Sequence, residues 1–121
     1  MNNGFVPEKA TVTRDSSIVI NFDYYNNKKS ELEKINKPGL LRKFLRFIIQ
    51  VGQCQDITEL KNFLKAHNTC DMSSSKFQKL LPKDIGLKIY EVWHGKHTGE
   101  RIFYTRAGFT FYPVLFLQNH P

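Results

Sequence analysis

The side chains of this sequence best suited to proton transfer or metal binding are its histidines and cysteines. They are His67, His94, His97, His120, Cys54 and Cys70. Because none of them shows CxxC or HxxxH spacing, we expect no metal site and no cofactor. A neutral imidazole near pH 7 can act as a general base, which makes His94 a candidate for acid–base chemistry. For His97, in the same segment 94–99, we favour an exposed turn residue.

Positive charge is the second feature with a chemical consequence. The 18 Lys and Arg residues exceed the 11 Asp and Glu residues, for a net charge of +7. Such an excess on a small domain favours a polyanionic partner, namely nucleic acid, an acidic protein or an anionic membrane surface. Arg42, Lys43 and Arg46 could form a stripe that follows phosphates along one helix. A solvated helix surface is the commoner explanation of such charges, and both interpretations stay open.

Length and hydropathy indicate a single globular domain and argue against a membrane protein. A chain of 121 residues with 40% hydrophobic residues predicts one globular domain. No segment approaches the roughly 18 apolar residues of a membrane span, and residues 1–17 lack the apolar core of a signal peptide. We therefore expect a cytoplasmic protein without a membrane partner, with both cysteines reduced. Residues 1–16 predict an extended lead-in, and residues 17–121 the domain itself.

The elements that would position these side chains can be read from the pattern of apolar residues. Alternation predicts a strand over residues 17–22, and a helical hairpin follows over residues 23–51. Its first helix can be capped by Asp23 or by the capping box at 30–33 (SELE). Four apolar residues in the second arm recur at helical spacing, so we expect them to pack on a sheet. They are Leu41, Phe44, Leu45 and Ile48. Residues 52–81 predict a helical insertion, with capping-box spacing from Asp56 to Glu59.

The C-terminal third is rich in aromatic and β-branched residues. It predicts strands over residues 87–93, 101–105 and 109–117, joined as a three-stranded antiparallel meander. Pro113 has no amide proton for the sheet, so we expect a bulge or an edge there. An N-terminal strand and helices before a meander imply an α+β, two-layer domain with helices on one face of a four-stranded sheet. The opposite face would then be free for a ligand.

This order of elements and two segments resemble the RelE/ParE toxin superfamily, and within it the phage-type HigB toxins of type II toxin–antitoxin systems. Residues 89–95 (IYEVWHG) and 100–104 (ERIFY) are similar to the family passage LYELR–HG–YRIFY. Residues 20–23 (INFD) before a helical hairpin match the family's opening, and KL at 79–80 before GL at 86–87 is similar to its lead into the second strand. The resemblance covers residues 17–120 and implies a RelE-like fold.

The resemblance also implies an activity. RelE- and HigB-like toxins are metal-independent endoribonucleases (mRNA interferases), in which a ribose 2′-hydroxyl attacks the neighbouring phosphate. Arg101 matches the family arginine and would stabilise the phosphorane, for which a guanidinium is suited. Lys88 would assist electrostatically, and His120 or His94 would transfer a proton. The implied partners are RNA, free or on the ribosome, and a cognate antitoxin protein.

Aromatic side chains supply the expected base contacts. Tyr90, Trp93 and Tyr104 could stack on unpaired bases, beside phosphate contacts from the basic stripe on the helix. For Tyr90, a half-buried sheet residue is an equally good interpretation. Two alternatives keep the fold but change the function: a ParE-like topoisomerase inhibitor, and a non-catalytic basic module that binds RNA or protein. RNA cleavage itself distinguishes them from the nuclease.

Overall fold

The computed structural model describes residues 17–119, so the predicted lead-in over residues 1–16 lies outside it. Two α-helices, α1 (Leu40–Gln53) and α2 (Ile57–Ala66), pack on a β-sheet. The strands are β1 (Val19–Ile20), β2 (Cys70–Asp71), β3 (Tyr90–Val92), β4 (Arg101–Ala107) and β5 (Thr110–Leu117). Short 3₁₀ helices span Leu32–Lys34, Lys76–Leu80 and Lys83–Ile85. The domain is therefore α+β, as predicted.

The sheet has five strands in the order β1-β5-β4-β3-β2, one more than the four predicted. Strands β3, β4 and β5 form the expected antiparallel meander, while β1 pairs in parallel with β5. The unpredicted strand β2 adds an antiparallel edge beside β3. The bulge expected at Pro113 is present, because Phe103 pairs with Leu115 whereas Tyr104 pairs with Pro113.

The predicted helical hairpin over residues 23–51 is wrong in its first arm. Ser30 and Glu31, which looked like a helix cap, bond to the edge of β5 instead. The Glu31 amide donates to the Phe116 carbonyl (2.7 Å), and the Phe116 amide donates to Ser30 Oγ (3.0 Å). The edge of β5 supplies backbone hydrogen-bond partners for Ser30 and Glu31. These long-range bonds outweigh the local preference of the two residues for a helix start.

Helix α1 turns a different face to the core from the one predicted. Phe44 is buried as expected and Ile48 packs partly, but Leu41 and Leu45 are 46% and 50% exposed. The residues buried on α1 are Leu40, Phe44, Phe47 and Val51. Apolar residues cover about half of this helix, so the pattern allows either face. Ring contacts of Phe47 with Trp93 (5.5 Å) and Phe111 (6.3 Å) select the face that carries it.

Helix α2 begins where the capping pattern predicts it. Asp56 is the N-cap, and its carboxylate accepts a hydrogen bond from the Glu59 amide (2.8 Å). The helix lies within the predicted insertion 52–81, and it forms with α1 the helical pair that covers one face of the sheet.

The opposite face of the sheet is covered, contrary to expectation. Two of the 3₁₀ helices and their flanking residues pack over it, with Phe77 stacked on Phe103 at 4.3 Å between ring centroids. The buried residues of this second core are Leu81, Ile89, Phe103, Val114 and Leu115. The segment between β2 and β3 supplies this cover, because its apolar residues recur at the short spacing that a 3₁₀ helix needs.

Candidate nucleic-acid interface

The basic stripe on α1 borders a cleft between this helix, the end of α2 and the turn after β3. The cleft has a volume of about 210 Å³. Its lining residues are Gly39, Arg42, Lys43, Arg46, Phe47, Gln50, His67 and Trp93. It therefore brings together four of the residues predicted to contact RNA. Its volume lies below the roughly 300–1,000 Å³ of ligand pockets, so it suits a phosphate group better than a whole nucleotide.

The three cations of the stripe differ in availability. Lys43 forms a salt bridge with buried Glu100 and lies over the Trp93 ring, 4.4 Å from its centroid. Burial would raise the pKa of Glu100, but hydrogen bonds from Lys43, its own backbone and Thr98 outweigh that effect and lower it. Arg42 and Arg46 have no acidic partner within residues 17–119. These two arginines are the cations that an incoming phosphate would meet.

Trp93 forms a wall of the cleft and has little free ring surface. It is 6% exposed, with Phe44 stacked on one side at 6.0 Å and Lys43 over its ring. Its φ of +62° is a left-handed conformation that costs a tryptophan on the order of 1–3 kcal/mol. The Trp93 amide offsets part of that cost by donating to the His67 carbonyl (2.7 Å). Predicted as a base-stacking residue, Trp93 instead positions the groups around it.

His67 also lines this cleft, although no catalytic or binding role was predicted for it. Its Nδ1 lies 2.9 Å from the Phe63 carbonyl oxygen. Because a carbonyl can only accept, Nδ1 carries a proton and Nε2 is the basic nitrogen of the neutral ring. A signal existed in the sequence, since His67 follows Phe63 by four residues within the predicted helical insertion 52–81. Only the fold shows that it shares a cleft with Arg42 and Arg46.

His94 lies in the segment that pairs with His67. The His94 amide donates to the Asn68 carbonyl (3.1 Å), next to the bond between Trp93 and His67. Its Nδ1 is 2.6 Å from the buried carboxylate of Glu91, and the imidazole is about half exposed. A carboxylate that fixes one nitrogen leaves Nε2 of His94 facing outward as an oriented acid–base group.

Arg101 lies in the interior of the domain, only 1% exposed. Its guanidinium donates to the carbonyl oxygens of Glu100 (2.7 Å) and Lys96 (3.0 Å), and its Nε lies 3.7 Å from Glu91. These bonds hold the turn that carries His94. The predicted contact between Arg101 and a phosphate has no exposed guanidinium surface to use.

A second basic cleft, of about 270 Å³, lies beside α2 at the other predicted aromatic residues. Tyr90 is half-buried and stacks on Tyr104 at 5.4 Å, with the cations Lys61, Lys65 and Arg106 around them. These three cations were not predicted, because they come from two separate elements.

Tyr104 itself belongs to the core. It is 3% exposed, it stacks on Phe111 at 4.7 Å and its hydroxyl lies 2.6 Å from Thr69 Oγ1. Burial raises the pKa of Tyr104 to about 12. Of the three predicted stacking residues, Tyr90 alone combines partial exposure with a position in a basic cleft.

The remaining predicted residues lie apart from the first cleft. The Lys88 side chain is mostly exposed, 3.8 Å from Asp71, and it lines neither basic cleft. His97 is an exposed turn residue. His120 lies outside the described residues. Within residues 17–119, no group of three or more His, Cys, Asp or Glu side chains could hold a metal ion.

No protein-family model, curated protein or solved structure matches this chain. In the part of the chain that the structure describes, no helix has the length and apolar character to cross a membrane.

Proposed function

We propose that this protein binds single-stranded RNA and cleaves it as a metal-independent endoribonuclease, the activity that the resemblance to RelE- and HigB-like toxins implies. One observation carries the proposal: His67 shares a cleft with two arginines, Arg42 and Arg46, that have no acidic partner within residues 17–119. A phosphate held by these arginines would have an imidazole beside it.

Cleavage by this route needs one base and one acid. The 2′-hydroxyl gives its proton to Nε2 of His67 while its oxygen bonds to phosphorus, and the bond from phosphorus to the 5′-oxygen breaks. His94 does not line the cleft, but its backbone is bonded to Asn68 beside His67, and we infer that it donates a proton to that departing oxygen. Glu91 suits His94 to this role, because its carboxylate accepts a hydrogen bond from Nδ1 and orients the ring. Arg42 and Arg46 stabilise the charge that develops on the phosphorane.

RNA recognition would use both basic clefts. Contacts to phosphates from Arg42 and Arg46 give affinity without sequence preference, and Tyr90 offers a partly open ring face for one base. The cations around Tyr90 would hold the neighbouring phosphates. We also propose that a cognate antitoxin protein binds this chain, because the resemblance to toxins implies such a partner.

A second candidate function is an RNA-binding module without catalysis. The burial of Arg101 favours it, since the arginine expected to stabilise the phosphorane is bonded to backbone carbonyls instead. The two candidates share the arginines and the tyrosine, and they differ in whether the histidines transfer protons.

Cleavage of free and ribosome-bound RNA in EDTA, followed by end-group analysis, tests the proposal. We expect 2′,3′-cyclic phosphate ends, and a loss of about a hundredfold or more in rate for His67→Ala, because general acid–base groups contribute roughly 10²–10⁴-fold. His97→Ala, a change outside the cleft, is the matched control and should cleave normally. Salt-dependent binding without cleavage would select the second candidate, and 5′-phosphate ends would exclude attack by the 2′-hydroxyl.

A further inference from the structure

A groove lies on the face of the sheet away from α1 and α2, and the proposed RNA chemistry does not use it. Its volume is about 410 Å³, within the roughly 300–1,000 Å³ of small-molecule sites. Three lysines and three leucines line it together with Phe77. These lysines and leucines are Lys29, Lys76, Lys79, Leu80, Leu115 and Leu117.

The sequence KFQKL of the 3₁₀ helix Lys76–Leu80 explains how one wall of the groove is built. A 3₁₀ helix has three residues per turn, so residues three apart lie in line along it. Lys76 and Lys79 form one row, and Phe77 and Leu80 form another. Phe77 stacks on Phe103 of the sheet, so the apolar row faces the core and the lysine row lies beside it at the rim.

The 3₁₀ helix is held firmly in this position by its central residue. The Gln78 amide group donates to the Leu87 carbonyl (2.8 Å) and accepts from the Ile89 amide (3.0 Å). At its start, Ser75 Oγ accepts from the Phe77 amide (3.1 Å). Because the wall is already ordered, a ligand would not have to pay for ordering it.

Charge and apolar surface meet in this groove. Lys29, Lys76 and Lys79 form no salt bridge with any acidic side chain of residues 17–119. The Lys76 ammonium lies over the ring of Phe77, 5.4 Å from its centroid. Beneath the lysines, Leu115 is buried while Leu80 and Leu117 are partly covered. The groove thus offers three positive charges above an apolar floor.

We propose that this groove binds a small anionic amphiphile, a molecule with an apolar chain and one anionic head group. The chain would cover the leucines and displace water from them, and the head group would meet the lysines at the rim. An RNA backbone fits this surface poorly, because its sugars and phosphates would gain nothing from the leucines. The groove is therefore separate from the RNA clefts, and binding of an amphiphile there does not depend on nuclease activity.

Titration of the full chain with decanoate, followed through leucine methyl signals in NMR spectra, tests the groove. We expect saturable shifts at Leu80, Leu115 and Leu117. Decanol has the same chain without the charge and cannot make the charge-assisted contact with the lysines. It should therefore bind about tenfold or more weakly, a difference of on the order of 1.4 kcal/mol in binding free energy.

A pair of double variants separates the groove from general charge attraction. Lys76→Gln with Lys79→Gln should weaken decanoate binding about tenfold or more while decanol binds as before. Lys61→Gln with Lys65→Gln removes the same charge from α2, on the other face, and should leave decanoate binding unchanged. Equal weakening by both pairs, equal affinity for decanol and decanoate, or shifts that do not saturate at the three leucines would overturn the proposal.

Discussion

The arginines of this chain occupy two contrasting environments. Arg42 and Arg46 extend from α1 into an open cleft without an acidic partner among the described residues, whereas Arg101 is enclosed and donates to two backbone carbonyls beside Glu91. The same type of side chain can therefore bind a ligand at the surface or fix a turn in the interior. What separates the two is whether the donors are already satisfied, because a satisfied buried donor has nothing to offer a phosphate.

The contrast between the buried and the exposed arginines predicts a large difference in how much each contributes to the free energy of unfolding. Arg101→Ala should lower the free energy of unfolding by about 3–5 kcal/mol, because it removes a cation beside the buried Glu91 carboxylate and leaves two backbone carbonyls without their donor. Arg42→Ala should change it by less than about 0.5 kcal/mol, as expected of an exposed residue. Urea denaturation measures both. An Arg101→Ala protein of native stability that no longer cleaves RNA would break the comparison and give Arg101 a direct role at the phosphate.

The next effect concerns the interior aromatic Tyr104. Its pKa is raised from 10.0 to about 12 in the folded state, so the folded state keeps a proton that the unfolded chain loses above pH 10. Stability contributed by the neutral phenol is therefore complete below pH 10 and is lost as the pH rises toward 12, by about 2–3 kcal/mol. Denaturation of wild type and Tyr104→Phe between pH 9 and 12 measures this, and parallel curves for the two proteins would refute it.

The smallest expected effect is at the open cleft. Arg42→Ala with Arg46→Ala should weaken RNA binding about tenfold and reduce the slope of log K against log salt by about 1.4, since each phosphate contact to a single strand contributes about 0.7. Lys28→Ala with Lys83→Ala removes the same charge elsewhere and is the control. Fluorescence anisotropy at several salt concentrations gives both quantities. A slope that falls equally in both variants would mean that overall charge, not this cleft, binds RNA.

Local sequence patterns correctly predicted the elements whose local preferences agree with their tertiary contacts. The meander was predictable because β3, β4 and β5 carry β-branched and aromatic residues between glycine turns. The bulge at Pro113 followed from its missing amide proton, and the start of α2 from the Asp56 cap. The first arm of the hairpin was not predictable, because Ser30 and Glu31 satisfy a strand edge that lies more than 80 residues away in sequence.

Residue types and their spacing are enough to predict the α+β class, the basic surface of α1 and the cations that form it. Which cations remain unpaired depends on the tertiary structure, because Glu100 pairs with Lys43 on α1 and Glu91 of β3 lies beside Arg101 of β4, contacts between separate parts of the fold. The tertiary structure also decided that His67 joins the cleft, since its position depends on how the end of α2 meets the turn at Trp93. Residue type sets what a side chain can do, while burial and partners set whether it is available to do it.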